Sequence, residues 1–448
     1  MHTPATLGSA AFRADYGLRM AYVTGAMVKG IASTALVTAI ARAGGLAFYG
    51  AGGMRMAQVE AAIQELRQAL PGSRSWGVNL LANAARPNQE MALVDLLLRE
   101  GVRNAEASAY LQVSPALVRF RLQGAHEDAQ GRAQAAQRII AKVSRPEIAQ
   151  QFMAPAPPAV VQRLLEQGQL TAAEAALAPR LALASDVCVE SDSGGHTDMG
   201  VMAVLIPSMV RLRDRLQQAH GFDTPVRVGA AGGIGTPEAA ACAFMLGAEF
   251  LVTGSINQCT VEAGTSEAVK DMLQGLSVRD TAYAPAGDLF EMGSKIQVMK
   301  KGVFFPTRAG RLYDLWRQHG SLDEIDAGAR REIQDKYLQR SFDEVWRETR
   351  DHYAREFPEE IERAERNAKV RMALVFRWYF VHTMRLALAG GADQRVDWQV
   401  HTGPALGAFN EWVRGTPLED WRARRADDVA RHLMQATADC LARGLRPA

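Results

Sequence analysis

Apolar residues in the first 255 positions fall into short β-prone runs separated by longer stretches of helical periodicity. The runs stand at 20–25 (MAYVTG), 45–50 (GLAFYG), 76–81 (WGVNLL), 102–108 (VRNAEAS), 138–144 (RIIAKVS), 186–191 (DVCVES), 226–232 (VRVGAAG) and 249–255 (EFLVTGS). Stretches between them, such as 56–70 (MAQVEAAIQELRQAL) and 88–101 (NQEMALVDLLLREG), repeat apolar residues three and four positions apart, which marks one buried helix face. Eight strand–helix units in series predict an α/β fold, a closed parallel TIM (β/α)8 barrel, with a doubly wound open sheet as the alternative. The interval 145–185, which contains APAPP, is too long for a plain connection and is expected to hold extra helices or a loop.

The pattern changes near residue 300. Charged and apolar residues mix at helical spacing in 321–354 and 358–391, and six of the seven tryptophans follow residue 300, whereas 29 of the 39 glycines precede it. Two architectures are therefore expected, a barrel over 1–255 and an additional, mainly helical domain over 256–448. The formal net charge of +2 is too balanced for a partner that is nucleic acid or an anionic membrane, and neither is expected. Cys188, Cys242, Cys259 and Cys440 show no CxxC or Cys/His ligand spacing, so no disulfide framework or metal site is expected. The first residues lack a basic and apolar leader pattern, and the apolar run from Gly30 to Ala41 is too short to span a bilayer. A cytoplasmic protein is expected.

Glycines cluster after strands rather than inside helices. SGGH (193–196) follows the sixth strand, AAGGIG (230–235) the seventh and TGSINQ (253–258) the eighth, which is the face where a barrel builds its active site and commonly holds phosphate. Gly232, Gly233, Gly254 and Ser255 are the candidate phosphate cradle, with Thr236, Pro237 and Glu238 opening a helix as N-cap, first residue and first-turn acid. Tight strand-to-helix turns are the alternative for each glycine. The GxGxxG-like spacing lacks an early βαβ unit and an acid about 20 residues on, so a dinucleotide fits poorly. Flavin mononucleotide (FMN) fits better, with Gly25, Ala26, Met27, Asn79 and Lys142 at other strand ends to meet the isoalloxazine. Lys142 reaching solvent and Asn79 in a turn are the plain alternatives.

The stretches TGAMVKGIAS, GVNLLAN, SGGHTD, GAAGGIG and LVTGSINQ resemble the FMN-dependent nitronate monooxygenase and enoyl reductase superfamily. More narrowly, IIAKVSRPEIAQQFMAPAP, ESDSGGHTDMG and FEMGSKIQVMKKGVFFPTRAGRLYDLW resemble the trans-acting enoyl reductases of polyunsaturated fatty acid synthases and trans-acyltransferase polyketide synthases. The resemblance implies hydride transfer from NADPH or NADH through FMN to an enoyl thioester held by an acyl carrier protein of a synthase module. It also implies that Gly194 and Gly195 let backbone approach the flavin and that His196 lies over the ring, as a proton or hydrogen-bond donor or as an orienting group. Glu190 and Asp192 depart from the alanine or glycine of simpler relatives and carry no assigned role. Lys295, Lys300, Lys301, Arg308 and Arg311, beside Phe304 and Phe305, form a basic stretch suited to an acidic carrier protein, with ion pairing to nearby acids as the alternative. A nitronate monooxygenase and a non-catalytic docking protein with a vestigial barrel are the competing functions.

Overall fold

The computed structural model describes residues 2–82 and 86–444. Eight parallel strands close into a barrel: β1 (Tyr22–Thr24), β2 (Leu46–Tyr49), β3 (Trp76–Leu81), β4 (Asn104–Ser108), β5 (Arg138–Val143), β6 (Asp186–Glu190), β8 (Arg227–Ala231) and β9 (Leu251–Thr253). Pairing of Tyr22 with Leu251 joins β1 to β9 and removes both edges. Every strand lies within a run predicted from the sequence, because a barrel strand buried on both faces leaves a near-continuous apolar signal. The open-sheet alternative is excluded by the closure.

Helix boundaries follow local chemistry. Helix α2 (Thr34–Ala43) begins where the Ser33 side chain accepts from Leu36 N–H and ends at Gly44, whose φ of 87° is left-handed. Before the barrel, α1 (Ala10–Tyr16) buries Phe12 and Tyr16 among Val23, Phe48, Ile140 and Phe250; the Phe12 and Phe250 rings stack at 4.3 Å. Beneath that core, Asp186 at the start of β6 is fully buried, ion-paired with Arg227 at the start of β8 and accepting from Tyr16 Oη at 2.5 Å. The interval 145–185 holds three short helices, Pro146–Met153, Pro158–Glu166 and Ala172–Leu177.

The chain divides into two compact units, and the division differs from the expected boundary at residue 255. The barrel unit takes residues up to Asp192, Asp198–Thr265 and everything from Ala408 onward. The last helix of that unit, Ala426–Ala442, buries Val429, Leu433, Met434 and Ala438 and packs on α2 and on the helix Pro237–Met245. The apolar stripe of Ala426–Ala442 is visible in the sequence; the surface it covers is not. Among the described residues no helix is long and apolar enough to cross a membrane.

The second unit comprises Ser266–Gly407 together with Ser193–Thr197. Its central helix, Ala368–Ala389, buries five consecutive residues from Met372 to Phe376, as expected for a helix surrounded on all sides. Helices Phe305–Gln318, Phe342–Glu356 and Pro358–Arg366 pack around it. An antiparallel sheet of β7 (Gly195–Thr197), β10 (Thr281–Pro285) and β11 (Lys295–Met299) accompanies the helices, with β11 in the middle. The helical expectation missed this sheet, whose strands are short and whose β7 is contributed by five residues set between two stretches of the barrel unit.

Candidate active site

At the carboxyl ends of the barrel strands the structure gathers a charged, enclosed cluster. Lys142, near the end of β5, places Nζ 3.1 Å from Glu190 Oε1 at the end of β6, and its side chain is 18% exposed, so it does not reach out to solvent. Burial works against its charge, but the carboxylates of Glu190 and Glu106 overcome that and hold the amine above the ordinary lysine range. Glu106 in β4 is buried; burial pushes its carboxyl up to about 7, against the pull of Lys142 and of the Ala26 N–H, which donates to Oε2 at 2.6 Å. Asn79 sits inside β3 rather than in a turn, and its amide donates to Glu106 O and Ser108 Oγ, each at 3.1 Å. Its Oδ1 is buried without a hydrogen-bond partner among the described residues, as is Ser191 Oγ one residue beyond β6.

The loops after the strands close around that cluster. Gly25 N–H donates to Thr253 O at 3.1 Å, and a Cβ at Gly25 would stand 3.3 Å from Glu106 Oε1. The loop carrying Met27 lies against Gly50, where a Cβ would come within 1.8 Å of the Met27 carbonyl oxygen. Gly232 and Gly233 both have left-handed φ values, 83° and 73°. A Cβ at Gly232 would lie 2.4 Å from Ser191 O, so this glycine is required by the meeting of two loops as well as by its conformation. Gly233 and Gly254 are different: the nearest atom to a Cβ at Gly233 is Met202 Cε at 3.6 Å, and at Gly254 nothing lies within 4 Å. Thr236 accepts from Ala239 N–H and Pro237 opens the following helix, as the sequence predicts. Ser255 begins the short helix Ser255–Gln258, anchored by Asn257, whose amide donates to Thr253 Oγ1 at 2.8 Å and Thr24 Oγ1 at 3.2 Å.

Gly194, Gly195 and His196 belong to the second unit. A Cβ at Gly194 would lie 2.7 Å from Thr402 Cα, which gives this glycine a packing role inside its own unit, and Gly195 has a φ of 84°. His196 pairs with Ile296 in the β7–β11 ladder, and its Nε2 lies 2.9 Å from Asp288 Oδ1. The Asp288 side chain is 62% exposed, and the hydrogen bond and charge of His196 hold its carboxyl below the ordinary carboxylate range. His401 lies beside the same strand, bridged to Val298, with Nε2 2.7 Å from Gln399 Nε2. Burial, helped by the charge of His196, pulls its imidazole down to about 4, so it is neutral at physiological pH.

The basic stretch separates into distinct environments. Arg308 turns inward to Asp397, with its guanidinium 4.7 Å from the Tyr337 ring centroid, so the ion-pairing alternative holds for it. The same alternative holds for Arg311, 3.2 Å from Glu332, and for Lys301, 3.6 Å from Asp280 and donating to Gly275 O at 2.7 Å; Lys295 sits over the Tyr313 ring at 5.6 Å. Lys300 is exposed, as is Phe304, while Phe305 is buried.

Residues 18–284 match the family model described as nitronate monooxygenase. The chain belongs to that family. Residues 319–398 match the inserted helical domain of acyl-carrier-protein S-malonyltransferase, which falls within the second unit. The chain is 42% identical to the crystal structure of the enoyl reductase domain of MlnA, from the macrolactin biosynthesis cluster of Bacillus amyloliquefaciens, with a TM-score of 0.95, covering 98% of this chain and 99% of that one. It is 49% identical over 436 residues to the polyketide biosynthesis protein PksE of Bacillus subtilis, and 49% identical over 437 residues to the polyketide biosynthesis protein ThaF of Burkholderia thailandensis. These alignments cover 97% and 98% of the chain but only 56% and 37% of the relatives. FabK of Thermotoga maritima shares the fold at a TM-score of 0.59 and 17% identity.

Membership in this family implies FMN, and the barrel residues fit it. Asn79 Oδ1 and Ser191 Oγ are buried polar atoms that lack partners among the described residues, Lys142 is a fixed cation, and Gly254 leaves open space where any other residue would place a side chain. Glu106, Asp288, Gln399 and His401 are the chemically equipped residues that the sequence reading missed. For Glu106 a signal existed, a single acid in the strand NAEAS, buried on both sides. For Asp288 and His401 none did, since they meet His196 only through the second sheet.

Proposed function

We propose that the chain is an FMN-dependent enoyl reductase that acts in trans on enoyl thioesters carried by acyl carrier protein, in polyketide or polyunsaturated fatty acid synthesis. The observation that carries this reading is the extent of the match to the MlnA enoyl reductase domain: it runs through the second unit, well past residue 284 where the nitronate monooxygenase model ends. Bound FMN would supply hydride transfer from NADPH or NADH to the β-carbon of the double bond. Gly232, Gly233, Gly254 and Ser255 would hold its phosphate, Asn79 would hydrogen-bond its ring through the orphaned oxygen, and Lys142 would favour negative charge on the reduced ring. Gly25, Ala26 and Met27 would line one face, and Gly194 and Gly195 keep the loop that carries His196 in shape. His196, held by Asp288, would donate a hydrogen bond or proton to the acyl group as negative charge develops there. Lys295, Lys300, Lys301 and Arg311 would receive the acidic carrier protein, with Arg308 supporting the helix beneath them.

Nitronate oxidation is the second reading, favoured by the family model itself. The two separate in one assay of the flavin-loaded protein. An enoyl reductase oxidises reduced nicotinamide when given a crotonyl thioester on a carrier protein and consumes little oxygen with a nitronate. Rapid oxygen uptake with the nitronate and no nicotinamide oxidation with the enoyl thioester would reverse the assignment. Protein that takes up no FMN would leave only the non-catalytic docking reading.

A further inference from the structure

His196 has a neighbour that neither the family match nor the sequence motifs single out. In the β7–β11 ladder His196 stands opposite Ile296, and His401 stands opposite Val298, two residues further along the same strand. Directly opposed residues in an antiparallel pair share a face, and residues two apart on a strand share a face, so both imidazoles project from one side of the sheet, about 7 Å apart along it. His401 also passes close over the loop: a Cβ on Gly195 would stand 3.5 Å from His401 Nδ1.

The protonation of His401 is fixed from behind. Gln399 is buried, and its side-chain amide N–H donates to His401 Nε2 at 2.7 Å, while Thr383 Oγ1 lies 3.4 Å from Gln399 Oε1. An imidazole that accepts at Nε2 carries its proton on Nδ1. Among the described residues Nδ1 has no hydrogen-bond partner. We propose that His401 is a second hydrogen-bond donor of the site, presenting Nδ1–H to the thioester carbonyl oxygen of the acyl substrate beside His196. This rests on the enoyl reductase reading above. The charged groups that face His401 are His196 and Asp288, and the low proton affinity of His401 keeps it a neutral donor at physiological pH. A neutral donor with a fixed tautomer stabilises developing enolate charge without giving up its proton, whereas His196, on a carboxylate, can do either.

Two measurements on the flavin-loaded enzyme test the proposal. Nitrogen-15 NMR of the imidazoles is expected to show His401 neutral with its proton on Nδ1 from about pH 5 to 8, and Gln399→Leu is expected to release the tautomer to a mixture. A proton on Nε2 overturns the proposal whatever the enzyme turns over, which separates its failure from that of the enoyl reductase reading. In rapid mixing, His401→Phe is expected to slow reoxidation of the reduced flavin by crotonyl-pantetheine about 10²-fold, with flavin reduction by nicotinamide and reoxidation by a quinone unchanged. Equal slowing of all three reactions would make His401 a structural residue, and unchanged reoxidation by the enoyl thioester would remove it from the site.

Discussion

A carboxyl group buried beside a lysine is the residue-scale signature of the barrel mouth. Glu106 is held near neutrality by burial, with its partner Lys142 shared with Glu190. Its folded value of about 7 lies above the ordinary glutamate value, so between the two the native state keeps a proton that the unfolded chain has released. Stability of the FMN-free protein should therefore fall as pH rises from about 4.5 to 7, by about 3 kcal/mol, and level off above. Glu106→Gln should remove that slope, as read from urea midpoints at a series of pH values. Parallel curves for wild type and variant would mean that Glu106 is ionised in the native state throughout. The places of Lys142 near a strand end and of Gly233 in the turn after a strand were legible in the sequence. Other residues were illegible where the partner lay far along the chain, as with Glu106 at Ala26 or His401 at His196.

At the scale of elements, the barrel strands were the most legible part of the molecule. Both faces of β5 and β6 are covered, and the apolar runs IIA and VCV inside RIIAKV and DVCVE show it. The pins between strands were less visible, and the Asp186–Arg227 pair is the clearest. It joins the starts of β6 and β8 at the face opposite the site, where barrel residues serve stability. Asp186→Asn leaves the buried Arg227 charge with Asp15, at 2.7 Å, as its remaining carboxylate partner and should cost about 3 kcal/mol in stability, the low end for breaking a buried pair. The double variant Asp186→Asn with Arg227→Met should recover much of that loss, because it removes the stranded charge. Thermal melts of the three proteins check this; a single variant as stable as wild type would show that water or Asp15 already compensates Arg227.

The whole molecule joins two kinds of structure, and the sequence showed both kinds while misplacing their border. Glycine and tryptophan usage reported a barrel followed by helices. It could not report that the chain from Ala408 returns to the barrel unit, or that Ser193–Thr197 leaves that unit to form a strand elsewhere, since both depend on which surfaces meet. That five-residue excursion carries His196. The chain spans about half or less of the length of its polyketide biosynthesis relatives. In the proposed reaction an acyl carrier protein brings the acyl group to it. The most direct test is the intact mass of a crotonyl-loaded acyl carrier protein after incubation with the FMN-loaded protein and NADPH or NADH. An enoyl reductase raises the mass of the carrier by two hydrogens, with no change when FMN is withheld. A carrier mass unchanged with either nicotinamide, from protein whose flavin is bound and reducible, would contradict the assignment.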